Sequence, residues 1–153
     1  ALKTATLNRV TMSTDTATKF GFVCVQNAGR SQMSTAFAER ERERRDLEDS
    51  VEILTGGTHP ADHVHEEVVD VMDEEGFDLS ERTPREVSTA ELESCDVVAT
   101  MGCSTLELDA ESVDVRDWAL DDPDGQEMDQ VREIRDDIEP RVVALFDEFH
   151  SDD

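Results

Sequence analysis

Tyrosine is missing from this chain, and lysine occurs only at Lys3 and Lys19. With 14 basic residues against 39 acidic ones, the net charge is -25. No basic patch is left to neutralise phosphates, which argues against nucleic acid and anionic membranes as partners. Nor does any apolar stretch approach the ~20 residues of a membrane span, and no apolar leader follows a basic start. The cysteines are few: Cys24, Cys95 and Cys103 form no closely spaced framework. An odd number so scattered does not make a secreted disulfide scaffold. These absences leave a soluble protein, placed in the cytoplasm.

What is present is acid, spread along every segment. In dilute buffer such charge repels itself and opposes the compact state. Salt at ~1 M cuts the Debye length to about 3 Å and removes most of that cost. The pattern fits a chain built for a salt-rich cytoplasm better than an acidic interaction tail. Disorder from charge alone is contradicted by apolar residues that keep strand and helix periods. At 153 residues the chain makes one domain. Residues 1–18, rich in Thr and Ala without a period, read as a disordered or loosely attached tail, and 19–153 as the single domain.

Strands and helices alternate, which predicts an α/β fold: a parallel sheet with helices on both faces. Strands are expected at Lys19–Val25, Val51–Leu54 (ended by Gly56-Gly57), Cys95–Met101 and about Ser112–Arg116. Helices are expected from Ser31 to about Asp46, Ala61 to about Glu75, Thr89 to Ser94 and about Gln126 to Phe149. Ser31 stands near the first helix cap, Gly76 stops the second helix, and Pro140 should kink the last. The acid–arginine alternation from Glu39 to Arg45 reads as a solvated, ion-paired face.

The richest segment is Phe22-Val23-Cys24-Val25-Gln26-Asn27-Ala28-Gly29-Arg30-Ser31. An apolar strand, a short Asn/Gly turn and a helix start bring loop N–H groups together at the positive end of the helix dipole. Such a loop binds oxyanions and favours a thiolate over a thiol. Val25, Gln26, Asn27, Ala28, Gly29, Arg30 and Ser31 are therefore the candidate oxyanion-binding residues, with Cys24 as nucleophile. Arg30 offers a planar fork for two anion oxygens, and Ser31 a hydroxyl for the Cys24 sulfur. The chemistry indicated is thiol attack on phosphate or arsenate.

The loop resembles that of the low-molecular-weight protein tyrosine phosphatases and of the arsenate reductases sharing their fold. The run Cys24 to Met33 is closer to the reductase branch, of the thioredoxin- or mycothiol-coupled type. The resemblance covers roughly residues 19–149 and implies a four-stranded parallel sheet with flanking helices.

Departing oxygen needs an acid. Trp118-Ala119-Leu120-Asp121-Asp122-Pro123-Asp124-Gly125 is the best source, since Pro123 holds Asp122 extended on a stiff loop. In the resembled family an Asp-Pro pair after the fourth strand supplies this proton, which assigns it to Asp122, with Asp121 as fallback. Phosphotyrosine phosphatases of the family usually place tyrosines after that pair; here Asp124-Gly125 follow.

Cys103 comes after the third strand, and would approach Cys24 if that strand lies beside the first. The resemblance implies that a cysteine here attacks the arsenylated nucleophile. Those reductases usually carry another cysteine shortly afterwards, where this chain has Ser104-Thr105-Leu106-Glu107-Leu108. The expected reductant is thus an external thiol, either a thioredoxin-like protein or a low-molecular-weight thiol, with no bound cofactor. Cys95 reads as structural. His59, His63 and His65 lie close in sequence, but Pro60 spoils their helical spacing and no metal site is expected. The function read is arsenate reductase. A phosphomonoester-hydrolysing tyrosine phosphatase is the alternative, and a non-catalytic oxyanion-binding or sensing protein the second.

Overall fold

The strand carrying Cys24 lies inside the sheet. In the computed structural model, which describes residues 18–101, 113–118, 120–121, 123 and 125–149, β1 is Thr18–Cys24. It pairs in parallel with β2 (Val51–Gly57) on one side and β3 (Val97–Met101) on the other. β4 (Asp114–Asp117) completes an all-parallel order β2-β1-β3-β4. Central parallel strands are covered on both faces, so β1 and β3 are continuous apolar runs rather than alternating ones.

The period of two along β1 divides the core. Phe20, Phe22 and Cys24 face a layer containing Met33 and Phe37 of α1 (Arg30–Arg44), Val68 and Met72 of α2 (Glu66–Asp73), and much of α4 (Met128–Phe149). Val23 faces the other way, against Val87, Cys95 and Leu92 of the short α3 (Thr89–Glu93). Helices thus cover both faces, three on one and α3 on the other. The register sets Cys24 opposite Gly57 and Met101, so three strand ends share one edge of the sheet. Open α/β sheets bind ligands at that edge.

Several boundaries fall elsewhere than the sequence pattern indicates. β2 does not end at Leu54 but runs through Gly56 and Gly57. Those glycines are needed for close approach: a Cβ on Gly56 would stand 2.5 Å from Val87 Cβ, and one on Gly57 2.5 Å from Val25 O. The helix expected from Ala61 is confined to Glu66–Asp73, because backbone groups of residues 58–65 bond to the loop after β1 instead. Gly76, at φ +89, ends that turn as expected. α1 begins at Arg30 with Gly29 as N-cap, one residue earlier than expected, and Ser31 lies in its first turn near the cap. β3 starts at Val97, leaving Cys95 in the turn before it. β4 is shifted to Asp114–Asp117. α4 continues past Pro140, which lies on its exposed side. Of the expected tail, residues 1–17 lie outside the described residues, and Thr18 already pairs in the sheet.

The acid–arginine stretch of α1 is less solvated than its pattern implies. Glu41 is buried and bonds Arg45 at 2.9 Å. Arg45 also reaches Asp147 at 2.7 Å, and Arg40 reaches Glu139 at 2.6 Å, tying α1 to α4.

Candidate active site

Five residues, Val25 to Gly29, connect β1 to α1, and their carbonyls are held from outside. The oxygens of Cys24, Val25, Gln26 and Ala28 accept from the backbone N–H groups of Thr58 (3.2 Å), His59 (2.7 Å), Ala61 (3.0 Å) and His65 (3.0 Å). Asn27 O accepts from Gln32 Nε2 at 3.1 Å. A trans peptide points its N–H opposite its C=O. With the carbonyls drawn outward, the N–H groups of the loop turn inward. Gly29 offers no side-chain cap to α1, which leaves the first helical turn open to an anion.

Asn27 holds the centre of this loop. Its φ of +53 is a left-handed conformation that asparagine tolerates better than most residues. Its Oδ1 accepts from the backbone N–H of Arg85 and from Gln32 Nε2, both at 3.1 Å. A backbone N–H can only donate, so the amide orientation is fixed. Nδ2 then donates to Ser31 Oγ at 2.7 Å and to Thr55 Oγ1 at 3.0 Å. Ser31 Oγ, which accepts that hydrogen bond, lies 2.9 Å from Cys24 Sγ and can donate its own hydroxyl there. Asn27 N–H donates to the same sulfur at 3.2 Å.

These groups open onto a pocket of about 300 Å³ lined by Cys24, Val25, Gln26, Gly29, Arg30, His65 and Pro123. Arg30 is largely buried, and its Nη1 donates to Leu120 O at 3.1 Å, which orients the guanidinium. Pro123 closes over the loop so nearly that a Cβ on Gly29 would stand 2.8 Å from its Cγ.

The structure therefore brings Cys24, Asn27, Arg30 and Ser31 together, with Val25, Gln26 and Gly29 at the pocket and Ala28 buried beneath. Asp122 and Cys103 lie outside the described residues. Asp121 is exposed and lines a separate groove with Leu120, Gln130, Glu133, Ile134 and Asp137. Cys95 is on the other side of the sheet, buried, with its thiol pushed up to about 11 by burial. Of the histidines, His63 Nδ1 meets Val64 O at 3.1 Å, whereas His65 joins the pocket. Among the described residues no three His, Cys, Asp or Glu are grouped to hold a metal ion. No described helix is long and apolar enough to cross a membrane. The sequence pattern missed Thr55, Gln32 and His65. A polar residue just past the expected end of the second strand (Thr55) and a glutamine on a helix face about to be buried (Gln32) were the available signals.

A buried cysteine and an arginine thus share a pocket at the carboxyl edge of a parallel sheet, where open α/β enzymes bind their ligands. The chain belongs to the low molecular weight phosphotyrosine protein phosphatase family, whose model matches residues 19–153. It is 91% identical over 142 residues to a Halobacterium salinarum protein whose assignment as an arsenate reductase is itself provisional, covering 93% of this chain and 100% of that one. It is 32% identical over 132 residues to the glutaredoxin arsenate reductase of Synechocystis, covering 84% and 95% of the two chains. The fold is that of the Corynebacterium glutamicum thioredoxin-dependent arsenate reductase, with a TM-score of 0.71 at 24% identity over 94% of this chain and 71% of the other.

Proposed function

We propose that the chain is a thiol-dependent arsenate reductase. The observation that carries this reading is the pocket itself: a sulfur held by Ser31 and Asn27, a guanidinium beside it, and no Phe, Tyr or Trp among the described lining residues. An inorganic oxyanion needs no aromatic wall, whereas an aryl ester gains from one. Loop N–H groups and Arg30 bind the dianion. Cys24 Sγ attacks arsenic, and the departing hydroxide leaves as water with a proton from Asp122, whose neighbour Pro123 lines the pocket. A second thiol then attacks Cys24 Sγ. A disulfide forms, the As–S bonding pair stays on arsenic, and As(V) becomes As(III). That thiol is Cys103 or an external one, thioredoxin-like or of low molecular weight. β3 supports Cys103 because Met101 pairs with Cys24 two residues earlier in the chain.

The test is thiol-dependent arsenite release and p-nitrophenyl phosphate hydrolysis measured on one preparation in molar salt. Arsenite release should dominate, Cys24→Ser should abolish both activities, and Asp122→Asn should slow hydrolysis of poor leaving groups by roughly 10²–10⁴. Phosphatase turnover without arsenite release would replace this reading with the phosphatase one. Binding without either reaction would leave an oxyanion-binding protein. Mass spectrometry after a single arsenate turnover identifies the second thiol, as a Cys24 peptide joined to Cys103 or to the added reductant.

A further inference from the structure

His65 stands at the N-cap of α2, a position where a side chain would normally accept from the helix's own N–H groups, yet it makes no such bond. Its backbone N–H is committed to Ala28 O at 3.0 Å, which seats the residue against the anion loop whatever side chain it carries. The imidazole is turned into the Cys24–Arg30 pocket and lines it. Its Nε2 meets Gln26 Oε1 at 3.0 Å. An amide oxygen can only accept, so Nε2 carries a proton in this arrangement. The adjoining Cδ2 comes within 3.7 Å of where a Cβ on Gly29 would be. The Cδ2–Nε2 edge of the ring therefore faces the loop, and Pro123 crowds the same glycine at 2.8 Å. Imidazole and pyrrolidine converge over Gly29, one polar and one apolar; a Cβ there would be in ordinary contact with the imidazole and would clash with Pro123.

We propose that His65 is a specificity-determining residue. In this reading its Nε2–H, parked on Gln26 Oε1 in the free protein, is handed to the outward-facing oxygen of a bound oxyanion. It thereby favours an inorganic oxyanion with a free oxygen or hydroxyl there over an ester whose outer oxygen carries an aryl group. Gln26 is the positioning residue that holds the ring while the pocket is empty. The inference rests on the arsenate reading for its choice of preferred substrate, but the binding contact does not depend on catalysis.

The experiment titrates inorganic arsenate and inorganic phosphate into the full chain in molar KCl by calorimetry, alongside steady-state kinetics. His65→Ala should weaken both anions by about tenfold, as loss of one hydrogen bond to a charged group does. KM for arsenate should rise in parallel while kcat stays nearly constant. His65→Gln, which reaches to about the same place with an N–H donor, should recover most of the affinity. His65→Phe should lose arsenate affinity and at the same time lower KM for p-nitrophenyl phosphate. Unchanged anion affinity in His65→Ala, or a glutamine variant no better than the alanine one, overturns the proposal. If the wild type binds arsenate but never reduces it, while His65→Ala still weakens binding, the reductase reading fails and the His65 contact stands. Circular dichroism melts of each variant show whether a loss comes from the fold.

Discussion

At Cys24 a chain of single hydrogen bonds ties the sulfur to the backbone of a distant loop. The Arg85 N–H fixes the Asn27 amide, the amide donates to the Ser31 hydroxyl, and that hydroxyl meets the sulfur. Ser31→Ala breaks this relay at its last link without opening the core, since serine and alanine differ by one oxygen. A hydrogen bond to a charged group contributes about 1.5–3 kcal/mol, so kcat should fall by roughly 10- to 150-fold. A variant within twofold of wild type would show that Asn27 N–H alone suffices. Cys95 is the opposite case. It is 2% exposed, and burial pushes its thiol up to about 11. At pH 8 it remains a thiol, the unreactive form. Iodoacetamide followed by peptide mapping should find Cys24 alkylated and protected by phosphate, with Cys95 labelled only after denaturation. Comparable labelling of both in the folded protein would contradict its assignment as a structural residue. Much of this scale was legible beforehand, because Cys24, Arg30 and Ser31 are close in sequence. The second layer was not: Thr55 and Arg85 reach Asn27 from 28 and 58 residues away, and no local pattern reports such a meeting.

Elements meet the site through glycines and through ion pairs. Gly57 ends β2 directly beside the loop, and a Cβ there would lie 2.5 Å from Val25 O and 2.9 Å from Asn27 N. Both are backbone atoms that cannot turn aside. Gly57→Ala should therefore cost about 1–3 kcal/mol in stability and reduce activity further at temperatures where the variant is fully folded. Activity that tracks the folded fraction alone would mean the loop tolerates the push. The same glycine pair explains a misreading: Gly56-Gly57 look like a strand terminator, but here they let β2 continue past Val87 and under the loop. Likewise Val64 keeps the apolar spacing of α2 while lying outside it, because 58–65 are spent on the loop carbonyls. The apolar runs of β1 and β3 carry no such competing demand, and both strands lie within two residues of where their pattern places them. On the far side, Glu74 joins the end of α2 to Arg132 and Arg135 of α4, both at 2.8 Å. Those guanidiniums lower its pKa from 4.5 to about 2. Between those values the folded chain binds fewer protons at this site than the unfolded chain, so this tie is fully present above pH 4.5 and lost as pH falls towards 2. Glu74→Gln should remove that dependence. Subtracting the two stability–pH curves isolates the tie from the general relief of acid repulsion. Parallel curves between pH 2 and 4.5 would show that the two arginines find other partners.

Over the whole molecule, two kinds of charge interaction respond differently to salt. Pairs such as Arg40–Glu139, Arg45–Asp147 and Arg82–Glu39 are in contact, at 2.6–2.7 Å. The repulsion from a net charge of -25 acts over the whole surface. Raising salt from 0.1 to 1 M shortens the Debye length from ~10 to ~3 Å. Contact pairs are shorter than either value and survive better, while repulsion across the surface is largely removed. Salt should therefore raise the melting temperature steadily over that range. It should act on the substrate as well. An oxyanion approaching this chain meets a negative field before it meets Arg30 and the loop N–H groups, so the usual effect of ionic strength on a charged ligand is reversed. The kcat/KM for arsenate should rise between 0.1 and 1 M KCl, measured at a temperature where circular dichroism shows the chain fully folded throughout. A neutral osmolyte that gives the same melting temperature should leave kcat/KM unchanged, which separates field from fold. A kcat/KM that falls with KCl in the fully folded protein would mean that the local positive potential of the loop governs encounter, and that the acidic surface serves stability alone.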